Sequence, residues 1–341
     1  MSRRDAELLT RVLREPDVAG MLGADEWTTL LTVARAEQLI GTLACRLDGL
    51  PVPHAVSAIL TDARANAEEG RRQALWEAEM ARRALAPLGL PVVLLKGTAF
   101  VAAGLAAGQG RAIGDCDILV PREHIDAVEA ALLAAGWEWV KPDPYDDDYY
   151  RRWMHELPPL IHRERDRMID VHHTILPLTA RIAPDAAALI EGSVVLETGL
   201  RVLSPHDMIV HAAAHLLADG DLAGGLRNLW DIHCLLGEFG VEGLCERAQH
   251  HGLWPAVWRA ARLANDLFGT TIPDGWRVRD SADPLYRRRL LARDGWGRQT
   301  RPLTRLGFYV RSHWLRMPPA MLARHLWIKW RGSPAASGRR G

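Results

Sequence analysis

The chain is poor in cysteine, carries no long apolar run and shows no internal repeat. Its four cysteines, Cys45, Cys116, Cys234 and Cys245, form no Cys-x-x-Cys pair, which argues against a zinc ribbon and against a disulfide framework. No charge-free apolar stretch approaches the length of a membrane span, and the opening Met1-Ser2-Arg3-Arg4-Asp5 lacks the apolar core of a signal peptide. The expectation is a cytoplasmic protein without a transmembrane segment. The formal net charge is also zero, from 42 Lys and Arg against 42 Asp and Glu. That balance conceals a segregation: from Arg287 to Gly341 there are 14 Lys and Arg against one acid, Asp294. The C-terminal end is therefore a basic lobe, and the rest of the chain is correspondingly acidic.

A length of 341 residues, 48% hydrophobic and 25% charged, suits about two domains with a sizeable core. Residues 1–88 read as helical, from three-to-four spacing over Glu7–Leu13 and Trp27–Leu39 and a long Ala-rich pattern from His54 to Leu85. Residues 89–200 alternate strand-like and helix-like stretches, with an acidic, Tyr-rich connector from Asp143 to Tyr150. Residues 201–270 return to helix, and 271–341 hold the basic, Trp- and Arg-rich lobe with a Gly- and Arg-rich tail that reads as disordered. The expected fold class is α/β (α+β), a small mixed-sheet core flanked by helical segments.

The chemistry concentrates in two stretches. Pro91–Leu95 is a short apolar run that ends in Lys96-Gly97-Thr98, a strand-to-helix turn where a glycine permits close backbone approach and a lysine adds positive charge. Phosphate suits such a turn. Downstream, Asp115-Cys116-Asp117 opens the apolar run Ile118–Val120, and residues two apart in a strand share a face. Two carboxylates held that close imply a divalent cation, and hard oxygen donors with phosphate suit Mg2+. The alternation in Arg167–His172 puts Asp170 on the face opposite Ile169 and Val171, making it the best third ligand, with His172 on the same face. Arg111, four residues before Asp115, can reach phosphate or pair with a carboxylate, or else lie in solvent.

Together these features resemble the DNA polymerase beta-type nucleotidyltransferase superfamily. The Leu-Lys-Gly-Thr-Ala opening and the Arg-x-x-x-Asp-x-Asp-Ile-Leu-Val continuation are most similar to uncharacterised bacterial nucleotidyltransferase-family proteins. The specific part of the likeness covers roughly Pro91–Thr174. The usual superfamily turn is Gly-Gly or Gly-Ser, and Lys96-Gly97-Thr98 stands in its place. The resemblance implies two Mg2+ ions about 3.5–4 Å apart held by Asp115, Asp117 and Asp170, with an NTP whose phosphates meet Lys96, Gly97, Thr98 and Arg111. Asp170 would also accept the acceptor's proton. A fold retained only for binding a nucleotide or a partner is the alternative.

Three further groups need weighing. Arg227 and Asp231 lie four apart, as a surface ion pair on a helix or as a helix bordering the cleft. His172 with His173, and His211 with His215, resemble metal-ligand pairs, but no third ligand has diagnostic spacing, so they read as core histidines. The basic lobe, with Phe308, Tyr309, Arg311, Trp314, Arg316, Arg324, Trp327, Lys329, Trp330 and Arg331, suits RNA, an anionic membrane surface or an acidic protein. A helix pair with its Trp residues packed inward and its Arg residues in solvent fits equally well.

Overall fold

The computed structural model describes residues 5–141, 144–278 and 280–317. The N-terminal helices are α1 (Asp5–Arg14), α2 (Ala24–Ala36), α3 (Ile40–Arg46) and the 32-residue α4 (His54–Leu85). The sheet region follows with β1 (Val93–Leu94), α5 (Lys96–Ala102), β2 (Asp115–Leu119), α6 (Ile125–Ala134), β3 (Trp137–Trp139), α7 (Pro144–Trp153), β4 (Leu160–His162), β5 (Met168–His172), α8 (Ala186–Glu191), β6 (Val194–Val195) and β7 (Arg201–Val202). Then come α9 (Pro205–Ala214), a π-helical turn His215–Asp219, α10 (Gly225–Phe239), α11 (Leu244–His250), α12 (Trp254–Phe268), α13 (Asp283–Leu290) and α14 (Pro302–Arg316). The class is mixed α/β with flanking helices, as the sequence pattern implies.

The seven strands run in the order β3-β4-β5-β2-β1-β7-β6. Central β2 is antiparallel to β1 and parallel to β5, and Asp117 stands opposite Asp170 in that parallel register. Cys116, Ile118, Ile169 and Val171 point to the other face and are buried, which fixes the register, since a one-residue slip would exchange core and site. The long helix α4 packs on β2, α3, α5 and α6. Its Glu77 accepts from Arg165 Nε and Nη2 at 2.7 and 2.9 Å, and the same guanidinium lies 4.9 Å from the centre of the Trp137 ring. One buried cluster runs from Ala6 to Phe308.

One element differs from the sequence reading. Residues 144–150 of the expected connector belong to a helix, α7, with Arg151 and Arg152 in its last turn. The described part of the basic lobe does not take the arrangement with its Trp packed inward and its Arg in solvent, one of the alternatives left open by the sequence. On α14, Leu303, Leu306, Val310 and Trp314 are exposed, while Arg311 donates to the Leu217 carbonyl at 2.8 Å and Arg316 faces Asp219 at 3.6 Å. Arg324, Trp327, Lys329, Trp330, Arg331 and the tail, which the sequence assigns to the basic lobe, lie outside the described residues.

The N-terminal helices reach the site region through a close backbone contact. Gly41 on α3 meets Gly110, whose φ of +64° is left-handed, and Thr42 Oγ1 donates to the Gln109 carbonyl at 3.1 Å. A Cβ on Gly41 would run into the Gly110 carbonyl. We therefore expect Gly41→Ala to cost about 1–3 kcal/mol in urea unfolding. Gly20→Ala, whose Cβ meets nothing within 4 Å, should stay within about 0.5 kcal/mol of the parent.

Candidate active site

Alternation along β2 and β5 brings Asp115, Asp117, Asp170 and His172 to one face of the sheet. The carboxylates of Asp115, Asp117 and Asp170 each present an oxygen within 4.8 Å of the other two. Asp117 is the anchor: 2% exposed, it accepts from Lys96 Nζ at 2.6 Å and lies 2.9 Å from His172 Nε2. Burial by itself would push the Asp117 carboxyl up, but Lys96 and His172 outweigh it and hold it well below the ordinary carboxylate range. Burial likewise opposes the Lys96 charge, yet Asp117, then Asp115 and Glu156, raise the ammonium overall.

For the other two acids the opposing charges do not outweigh burial, although Lys96 and Arg111 act on Asp115. Burial and the charge of Asp117 raise Asp115. Asp170 is pushed up to about 7 by burial, then by Asp117 and Glu156, with only His172 opposing. A cluster of oxygen donors short of positive charge fits a hard dication such as Mg2+.

The turn before α5 has its own constraint. Lys96 adopts a φ of +48°, left-handed for a residue with a side chain, at a cost of about 1–3 kcal/mol. Its ion pair with Asp117 holds it there. Thr98 is buried and donates to the Asp115 carbonyl at 3.2 Å, which ties the turn to β2. A Cβ on Gly97 would come within 2.5 Å of Arg111 Nε, so only glycine lets that guanidinium cross the turn.

Arg111 is not a solvated loop residue, and Arg227 with Asp231 is not a surface pair. Arg227 and Asp231 on α10 are 3% and 2% exposed, and Asp231 accepts from Arg227 through one oxygen and from Arg111 through the other. Arg227 also donates to Thr42 Oγ1 at 2.6 Å. The amphipathic pattern of α10 placed both residues on one helix but could not show that this face is covered by α3 and the chain preceding β2. Arg111 Nε has no hydrogen-bond partner among the described residues and lies against Gly97.

Sequence reasoning did not single out His155, Glu156 or Asp219. Glu156 forms an isolated antiparallel bridge with His172, and its oxygen lies 3.4 Å from His172 Nδ1. Burial raises Glu156, against His172 and Lys96. Asp219 ends the π-helical turn, and burial raises it against Arg316 and Lys96. His211 lies on α9, which packs on α5, and His215 opens the π-helical turn that follows; burial, then the charge of Lys96, holds His211 well below the ordinary imidazole range and His215 at about 4. None of these pairings lies within a span that local periodicity could read.

Two outcomes test this geometry. Asp231→Ala strands two buried guanidinium groups and should cost about 3–5 kcal/mol in denaturant unfolding. Asp170 takes up a proton on folding, because its folded value of about 7 exceeds the ordinary carboxylate value, so its ionised form opposes folding. The opposition is absent below about pH 4 and complete above about pH 7. In chelator, Asp170→Asn should therefore raise the thermal midpoint by a few degrees at pH 8 and leave it unchanged at pH 4.

No curated protein matches the chain. A family profile described as uncharacterised nucleotidyltransferase does match, over residues 23–269. The matched span begins just before α2 and ends just after α12, so it contains every site residue above, the sheet and the helices that carry Thr42, His211, Arg227 and Asp231. On that match, which covers well over half of the sequence, this chain belongs to the uncharacterised nucleotidyltransferase family.

Proposed function

We propose that the chain transfers a nucleoside monophosphate from an NTP to a hydroxyl acceptor and releases pyrophosphate, with Mg2+ held by Asp115, Asp117 and Asp170. The observation that carries this reading is the Asp117–Asp170 register across β2 and β5, which gathers three oxygen donors beside Lys96. Bound there, Mg2+ supplies charge neutralisation of the triphosphate and of the leaving pyrophosphate. The protein's own groups divide the remaining work. Lys96, the Gly97–Thr98 turn and the unpartnered Arg111 Nε form the cationic side that receives the phosphates. Asp170 takes the acceptor's proton as the new oxygen–phosphorus bond forms and the bond to pyrophosphate breaks. His172 keeps Asp117 oriented.

The acceptor belongs to one of three classes: a small hydroxylated molecule, a peptide or protein side chain, or an RNA end. The basic lobe from Arg287 onward favours an anionic partner, whether RNA, an anionic membrane surface or an acidic protein. No helix among the described residues is long and apolar enough to cross a membrane.

The test is calorimetric NTP binding with and without Mg2+, for the parent and Asp117→Asn, followed by mass spectrometry of the products formed in cell extract. Metal-dependent binding, pyrophosphate release and a labelled acceptor are expected, with turnover reduced about 10^3-fold or more in Asp117→Asn. Release of NDP would reassign the site to phosphoryl transfer. Failure to bind any NTP with Mg2+ would leave the non-catalytic, partner-binding alternative.

A further inference from the structure

Next to Asp117 lies a second cluster of donors whose chemistry differs from that of the three carboxylates. His155, Glu156 and His172 each present a donor atom within 4.8 Å of the other two. Glu156 Oε2 stands 3.4 Å from His172 Nδ1 and 3.8 Å from His155 Nε2, and the two rings lie 5.2 Å apart at 36°. Donors around a tetrahedral Zn2+ with bonds of about 2.0–2.1 Å are separated by about 3.3 Å, so a small contraction closes the set. His172 is 1% exposed and its Nδ1 has no hydrogen-bond partner among the described residues, although it is turned toward Glu156. A buried, unpaired ring nitrogen is costly unless something binds it.

We propose that His155, Glu156 and His172 form a second metal site, separate from the carboxylate site and selective for a transition-metal dication such as Zn2+. Two imidazoles and one carboxylate make a borderline-soft set that suits Zn2+ and not Mg2+. His155 is buried, 8% exposed. His155 Nδ1 is also unpartnered, and a half-turn of the ring exchanges its nitrogens. His172 has the arrangement usual for a metal-bound histidine: with Nδ1 as ligand, its Nε2–H donates to the Asp117 carboxylate at 2.9 Å, which fixes tautomer and ring plane. The Glu156 side chain is 21% exposed, and this gives the ion a route in and a fourth ligand from solvent. The site would hold the segment before β4 to β5 and stiffen the ring that orients Asp117.

The experiment uses the full chain, stripped with chelator and then titrated with Zn2+ and with Co2+ in the absence of nucleotide. One equivalent of Zn2+ is expected, together with the visible Co2+ spectrum of a four-coordinate, nitrogen-containing site. His155→Ala and Glu156→Gln should each weaken Zn2+ binding by about tenfold or more, while Asp115→Asn and Asp170→Asn keep it. No uptake by the parent would overturn the proposal. So would uptake unchanged in both the His155 and Glu156 variants, or uptake lost only in the Asp115 and Asp170 variants. Thermal unfolding checks that each variant folds. If His155→Ala does not, the partly exposed Glu156→Gln and the Co2+ spectrum of the parent decide. Because the readout is metal binding without NTP, failure here is distinct from failure of the transferase reading.

Discussion

The parallel pairing of β2 with β5 concentrates negative charge on one face of a sheet, and much of the surrounding structure answers that charge. Each carboxylate there would be destabilised by burial and by its neighbours. At Asp117 the compensation, by Lys96 and His172, outweighs burial, and the carboxylate stays ionised deep in the protein. Lys96 in turn is held in left-handed backbone by that ion pair. The site is therefore locally strained and electrostatically unfinished at Asp115 and Asp170, the pattern expected where binding energy of a charged ligand is to be recovered.

A second network sets the distance between the sheet and the helices. Asp231 bridges Arg111 and Arg227, and Arg227 reaches Thr42, so a strand-leading loop, α10 and α3 meet at one buried point. Buried ion pairs seldom add net stability, because desolvation offsets the attraction, but they penalise any arrangement that separates the partners. Here the arrangement they enforce keeps Arg111 across Gly97, at the edge of the carboxylate face. The family match begins near α2, in keeping with an N-terminal helical segment that supports the site and does not stand apart from it.

Much of this was legible because it depends on short-range periodicity. The two-residue repeat around Asp115 and Asp117 and again at Asp170 and His172 is a property of any extended segment, and burial of Cys116, Ile118, Ile169 and Val171 left one face for the acids. The helix α12 runs from Trp254 to Phe268 because a Gly lies beyond each end and a three-to-four apolar pattern lies between. Misjudgements came where periodicity is silent or two-sided. The stretch before Trp153 that reads as a connector is helical in the structure, and α14 has two candidate faces, a choice the sequence left open, of which packing against the π-helical turn covers the one carrying Arg311.

The sequence by itself determined the fold class, the strand that carries Asp115 and Asp117, and the Lys-Gly-Thr turn, since each follows from residues within a few positions of one another. Tertiary structure alone decided that Asp170 stands opposite Asp117, that Arg111, Asp231, Arg227 and Thr42 form one buried network, and that His155 and Glu156 close on His172. The reason is physical. Those partners are brought together by strand register and helix packing across tens to nearly two hundred residues, and the energies that fix such contacts depend on burial and charge compensation that no local pattern encodes.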